Sequence, residues 1–139
     1  MMVGILWALL ATGAFAIVFN VRGYDIPLAA FGGALGWAVY LFISSSGSSD
    51  LLAYFASSAC VALYAELVSQ LLRKPATIYL VCALIPLVPG GGMYYTMAES
   101  LRGDFQGTLI IGFQTLSIAG SIASGVAISS AIARLAKRL

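Results

Sequence analysis

Ile85-Pro86-Leu87-Val88-Pro89-Gly90-Gly91-Gly92-Met93-Tyr94-Tyr95 interrupts an apolar run that begins at Ala76 and resumes as far as Leu101. Taken as one membrane crossing broken in its middle, this stretch makes a chain of about five spans. Taken as a re-entrant hairpin, it places everything downstream on the other side of the bilayer. Proline removes a backbone donor and clashes with the preceding turn, and three glycines add conformational freedom. The helix is therefore expected to unwind here and restart near Gly91, with unusual dihedrals at the glycines. Unwound backbone at membrane depth is tolerated only inside protein or along a wet cavity.

Outward from the break, the chain divides into apolar segments of span length, which is about 20 residues. Met2 to Phe19 is the first, Ile26 to Ser44 the second, and Leu51 to Leu72 the third. Ala76–Val88 and Met93–Leu101 are the two halves of the fourth, and Phe105 to Ala131 is the fifth. Barrel strands alternate in polarity, whereas these runs are apolar on every side. The expected fold is an all-α integral membrane bundle of about five transmembrane helices, residues 1–139 forming a single transmembrane domain.

Composition agrees. The 139 residues are 61% hydrophobic and 9% charged, with no His, and the mean hydropathy is +1.01. A soluble domain carries about 25% charged residues, so lipid must solvate much of this surface. Ala14-Phe15-Ala16 has the small-residue pattern of a signal cleavage site. No Lys or Arg precedes that run, however, and it continues through Ile17, Val18 and Phe19, so a retained helix is expected.

Basic residues in short loops mark the cytoplasmic side. With five spans, Arg22, Arg73, Lys74, Arg134, Lys137 and Arg138 share one side, against Arg102 alone on the other. The split supports an external N-terminus, a cytoplasmic C-terminus, and the broken fourth segment as a full crossing of a cell (inner or plasma) membrane.

Small residues mark close helix contacts. Gly32 and Gly36 form a GxxxG pair; Ser117, Ser121, Gly125 and Ser129 recur every fourth residue, with Gly120 and Ser124 beside them. Helix packing is the main expectation for both sets, and a pore lining the alternative. Trp7 and Trp37 suit interfacial or packing roles. Cys60 and Cys82 sit in apolar runs and suit inert packing rather than a disulfide or metal framework.

Three features carry chemistry. A half-helix starting near Gly91 would aim free N–H groups and a positive dipole end at a cavity, a way of holding a substrate carboxylate; a simple proline kink is the alternative. Pro86, Pro89, Gly90, Gly91, Gly92 and Tyr94 belong to this candidate substrate site. Glu66 is the only acidic residue well inside a span, with Gln70 and Arg73 on its face. Burial disfavours the ionised carboxyl, which suits proton coupling, although a hydrogen bond to Gln70 or a neighbouring helix would serve structure equally. Gln114, with Ser117 and Ser121, offers neutral hydrogen-bonding groups for a solute or for helix pairing. No catalytic constellation is present: the chain lacks His and paired Asp motifs, and no Gly-Lys-Ser/Thr follows the glycines. An enzyme is not expected, nor a cofactor, a metal site or a nucleic-acid partner.

The stretch from Glu66 to Tyr94 resembles the threonine/serine exporter family, and in its split form the small YjjB-like subunit. The matching elements are Ala65-Glu66, Pro75-Ala76, and Pro86-Leu87-Val88-Pro89-Gly90 followed by Tyr94, with weaker agreement at Phe19-Asn20-Val21-Arg22 and Gly36-Trp37-Ala38-Val39-Tyr40. Where the family often has Ala-Arg, this chain has Ser69-Gln70. The resemblance implies secondary export of small amino acids or, in the split form, of dicarboxylates such as succinate. It also implies a larger membrane subunit of the same family as partner, and a hetero-oligomer. If backbone N–H groups at Gly91 and Gly92 bind the carboxylate, Gly90→Val or Gly91→Val is expected to abolish transport, because a β-branched residue resists unusual dihedrals. An assembly or scaffold subunit that does not itself transport is the other expectation.

Overall fold

The computed structural model describes residues 2–136. Lys137 and Arg138, two of the six basic residues counted above, lie outside the described residues. Among the described residues the regular elements are all helical, without strands: α1 (Met2–Val18), α2 (Asp25–Ser45), α3 (Asp50–Leu72), α4 (Thr77–Leu84), a 3-10 turn (Ile85–Leu87), α5 (Gly90–Arg102) and α6 (Phe105–Ala136). α2, α3 and α6 are each long and apolar enough to cross a membrane alone. α4 with its 3-10 turn and α5 form a pair bent by 55°, and α1 is a shorter apolar helix. The result is the expected bundle of about five apolar segments, the fourth broken at the Pro-Gly stretch.

Helix directions follow from residue pairings. Gly4 lies against Trp37 and Leu41, and Gly13 against Ala30, so α1 and α2 are antiparallel. Gly32 meets Tyr64 and Gly36 meets Val61, so α2 and α3 are antiparallel as well. Ser121 on α6 donates to Leu51 O at the start of α3. Fifteen residues later, Ala136 shares a cavity with Gln70 near the end of α3. α3 and α6 therefore run parallel. The chain leaves α3 at its basic end and must begin α6 from the opposite one, so α4 and α5 together carry it across the bundle. That geometry is a broken crossing rather than a hairpin returning to its own side.

The packing relies on small residues. In lipid no hydrophobic force drives helices together, so close backbone approach and interhelical hydrogen bonds must do so. Gly32 and Gly36 are buried against α3 and α4, while Gly33 between them meets Thr12 of α1. Ser57 Oγ bonds the Gly36 carbonyl, and Tyr64 Oη bonds the Leu28 carbonyl at 2.8 Å. On α6, Ser121, Gly125 and Ser129 turn toward α3, which accounts for the recurrence at every fourth position. Ser117, the first of that series, bonds Phe113 O of its own helix instead.

α6 extends to Ala136, five residues beyond its expected end at Ala131. Ala133, Leu135 and Ala136 are strong helix formers, and no Gly or Pro stops the helix earlier. At 32 residues it is about 48 Å long. Its first half packs on α5, and its apolar side chains Leu109, Ile110, Phe113 and Leu116 are exposed.

Candidate functional site

α4 is anchored in the core: Tyr79, Cys82, Ala83 and Leu87 of α4 and its 3-10 turn are at most 1% exposed. After Leu87, the chain turns through Val88, extended at φ −60° and ψ 128°, and Pro89, the N-cap of α5. The break is thus two residues long. Gly90, Gly91 and Gly92 form the first turn of α5, and none has positive φ; among described glycines only Gly23, Gly47 and Gly103 do. The expected unusual dihedrals at Gly90–Gly92 are therefore not found. Pro89 caps the helix without donating, and glycine is accommodated in a first turn, so the stretch restarts the helix instead of unwinding it.

The ladder of α5 starts with Met93 N–H donating to Pro89 O at 3.1 Å. The Gly91 and Gly92 N–H groups precede that bond, as the first-turn donors of any helix do. A cavity of 560 Å³ opens between the helix break and α6, bordered by Leu84, Val88, Pro89, Met93, Thr115 and Ile122 among others, with Gly90, Gly91 and Gly92 outside its lining. Except for Thr115, its lining is apolar. Pro86 lies in a different cavity, of 270 Å³, beside Gly4, Trp7 and Trp37. There the Trp37 Nε1 atom is buried and has no partner among the described residues.

The other sequence candidates are spread out. Tyr94 is 68% exposed, with its ring edge-on to Tyr95. Gln114 is exposed on α6, and neither it nor Tyr94 lines the cavity at the break. Glu66 is half-buried and lines a third cavity, of 370 Å³, with Gln70 of α3 and Ile132, Ala133 and Ala136 of α6. The carboxyl and the broken helix thus occupy separate cavities. The glycines also differ among themselves. A Cβ on Gly90 or Gly91 would meet nothing within 4 Å, whereas one on Gly92 would lie 2.3 Å from Thr115 Oγ1.

A specific consequence is that Gly92→Val should loosen α5 from α6 and destabilise the protein by about 2 kcal/mol, as overpacking does. Gly90→Val and Gly91→Val should each cost less than about 1 kcal/mol. Thermal unfolding in detergent checks this, and three equal shifts would contradict the α5–α6 contact.

One polar cluster escaped the sequence. Asp25, in the first turn of α2, is only 7% exposed. It accepts hydrogen bonds from Lys74 Nζ and, at 2.7 Å, from the fully buried Tyr79 Oη. Lys74 is itself held at its backbone, its N–H bonding Ser69 O and its carbonyl accepting from Ser69 Oγ. The partners lie 49 and 54 residues from Asp25, and the only local signal was an acid at the start of an apolar run. The cluster ties the α1–α2 connection to the head of α4.

The family model described as "Threonine/Serine exporter, ThrE" matches residues 4–132. No solved structure matches the chain. The family match takes in part or all of every helix, the Pro-Gly break, Glu66 and the Asp25 cluster. The chain belongs to the threonine/serine exporter family.

Proposed function

We propose that this chain is a membrane subunit of a secondary exporter for small carboxylate-bearing metabolites, threonine and serine or a dicarboxylate such as succinate, and that it is not an enzyme. The observation that carries the proposal is the start of α5, where the first-turn N–H groups at Gly91 and Gly92 follow Pro89, which lines a cavity at the break. A helix N-terminus favours an anion, and Pro86, Pro89, Gly90 and Gly92 shape the surrounding backbone. Tyr94 and Gln114, both exposed, would contribute only once another chain or substrate covers them. The exposed first half of α6 supports a larger partner subunit of the same family that completes the site, with higher oligomers open to such an assembly.

The test is efflux from vesicles containing this chain with its partner. A threonine amide should compete about tenfold more weakly than threonine, since it loses a charge–dipole interaction of up to ~2 kcal/mol. Equal competition would overturn carboxylate binding at α5. The apolar lining of that cavity supports the second possibility, a scaffold subunit whose break only packs. In that case, cysteines placed from Pro86 to Tyr94 would stay unlabelled by water-soluble reagents.

Glu66 is proposed as the proton-linked group. Glu66→Gln keeps the shape and removes the titration, so export should lose its pH dependence and at least tenfold of its rate. A mutant with wild-type rate and pH profile would leave Glu66 a structural residue. Orientation is part of the same proposal: the six basic residues put the C-terminus in the cytoplasm and the Ser45–Asp50 loop outside. A C-terminal reporter active only outside the cell would reverse it.

A further inference from the structure

The basic end of the bundle holds a cavity of 480 Å³ lined by Phe19, Asn20, Arg22, Asp25, Lys74 and Ile78, among others. Its polar groups carry both signs of charge. Arg22 is exposed and uses one donor on Asn20 Oδ1 at 3.3 Å. A guanidinium has five donors and an ammonium three, so Arg22 and Lys74, whose side chain is 45% exposed, retain several for a bound anion. Asp25 accepts from Lys74 and Tyr79, and a carboxylate can accept about four hydrogen bonds. It therefore retains acceptor capacity toward a bound cation. α1 ends at the same place: Asn20 is left-handed at φ 60°, with Asn20 N–H bonded to Ile17 O and Val21 N–H to Ala16 O. That Schellman-type ending brings Phe19, Asn20 and Val21 to the cavity wall.

A dicarboxylate would set its second carboxylate against Asp25, and a simple amine would bring its charge against Arg22 and Lys74. A molecule with a carboxylate and an ammonium on one carbon satisfies both sets of groups. We propose that this cavity is a reception site for a small zwitterionic α-amino acid, its carboxylate held by Arg22 and Lys74 and its ammonium by Asp25. The inference rests on the exporter function proposed above and deepens it, since it selects amino acids over dicarboxylates at the side from which substrate is taken. It is a separate site from the one at α5, reached first.

Ile78→Cys, in a Cys60→Ala, Cys82→Ala background of the full-length chain, places a thiol on the cavity wall for labelling by a water-soluble maleimide in open membrane fragments. L-Threonine should slow labelling at least fivefold, while succinate and an amino alcohol lacking the carboxylate should not. Arg22→Gln should raise the half-protecting threonine concentration about tenfold or more, the usual range for a lost charged hydrogen bond. Asp25→Asn should admit a hydroxy acid as well as it admits threonine. If that variant does not fold, Arg22→Gln decides alone, because its side chain is exposed. Equal protection by threonine and succinate, or an Arg22→Gln variant protected like the parent, would overturn the site. Threonine efflux from vesicles containing this chain with its partner separates the two proposals. Efflux without protection removes the cavity and keeps the exporter. Protection without efflux does the reverse.

Discussion

Gly125→Val is expected to push α6 away from α3 and to destabilise the protein by about 3 kcal/mol, the upper part of the overpacking range. A Cβ at Gly125 would lie 2.2 Å from Ser58 Oγ and 2.6 Å from the Phe55 carbonyl oxygen. A serine rotamer can move, but a backbone carbonyl inside a helix moves only with the helix. Separation would also cost the Ser121 bond to Leu51 O and expose Ser129, which is 4% exposed in the closed contact. Because lipid is as apolar as the side chains, nothing but this close approach and these hydrogen bonds holds the pair together. Gly120→Val is the control on the same helix, since a Cβ there meets nothing within 4 Å. Thermal unfolding in detergent should show a large loss for Gly125→Val and under about 1 kcal/mol for Gly120→Val. Equal losses would mean that the small-residue face does not carry the contact.

That contact was readable in the chain because a repeat of small residues every fourth position is a local signal with one geometric meaning. The same holds for Gly32 and Gly36, whose spacing alone puts both on one face of α2. Run lengths marked the helices, and the two prolines marked the break, since each acts on its own turn of backbone. The state of Gly90–Gly92 was not readable. Three glycines permit either an unwound segment or an ordinary first turn, and the choice is made by Pro89 capping α5 and by Gly92 seating on Thr115. In the sequence Thr115 is one more small polar residue in an apolar helix. Glu66 and Gln70 line one cavity beside α3, yet nothing in their spacing says that Ile132 and Ala136 close the space beside them while the break opens elsewhere. Those are facts about which helices meet, and i,i+4 patterns carry none of that information.

The Asp25 cluster shows the same limit and leads to the second large effect. Lys74→Met should destabilise the protein by about 2 kcal/mol. Breaking a buried ion pair from one side costs about 3–5 kcal/mol, and the exposure of the Lys74 side chain allows water to soften that figure. The loss arises because Asp25 would remain charged and buried with the Tyr79 hydroxyl as its one remaining side-chain partner. Asp25→Asn is the opposite case. Asparagine still accepts from Tyr79, and the half-exposed Lys74 ammonium regains water, so the cost should stay near 1 kcal/mol. The order of the variants is therefore diagnostic. Combining Asp25→Asn with Lys74→Met should be less damaging than Lys74→Met alone, because Asp25→Asn removes the stranded charge. Unfolding of the three variants in detergent at neutral pH measures this coupling directly. A double mutant as unstable as the sum of the singles would show that Asp25 and Lys74 act independently, and that the α1–α2 connection is fastened to α4 by Tyr79 and apolar packing instead.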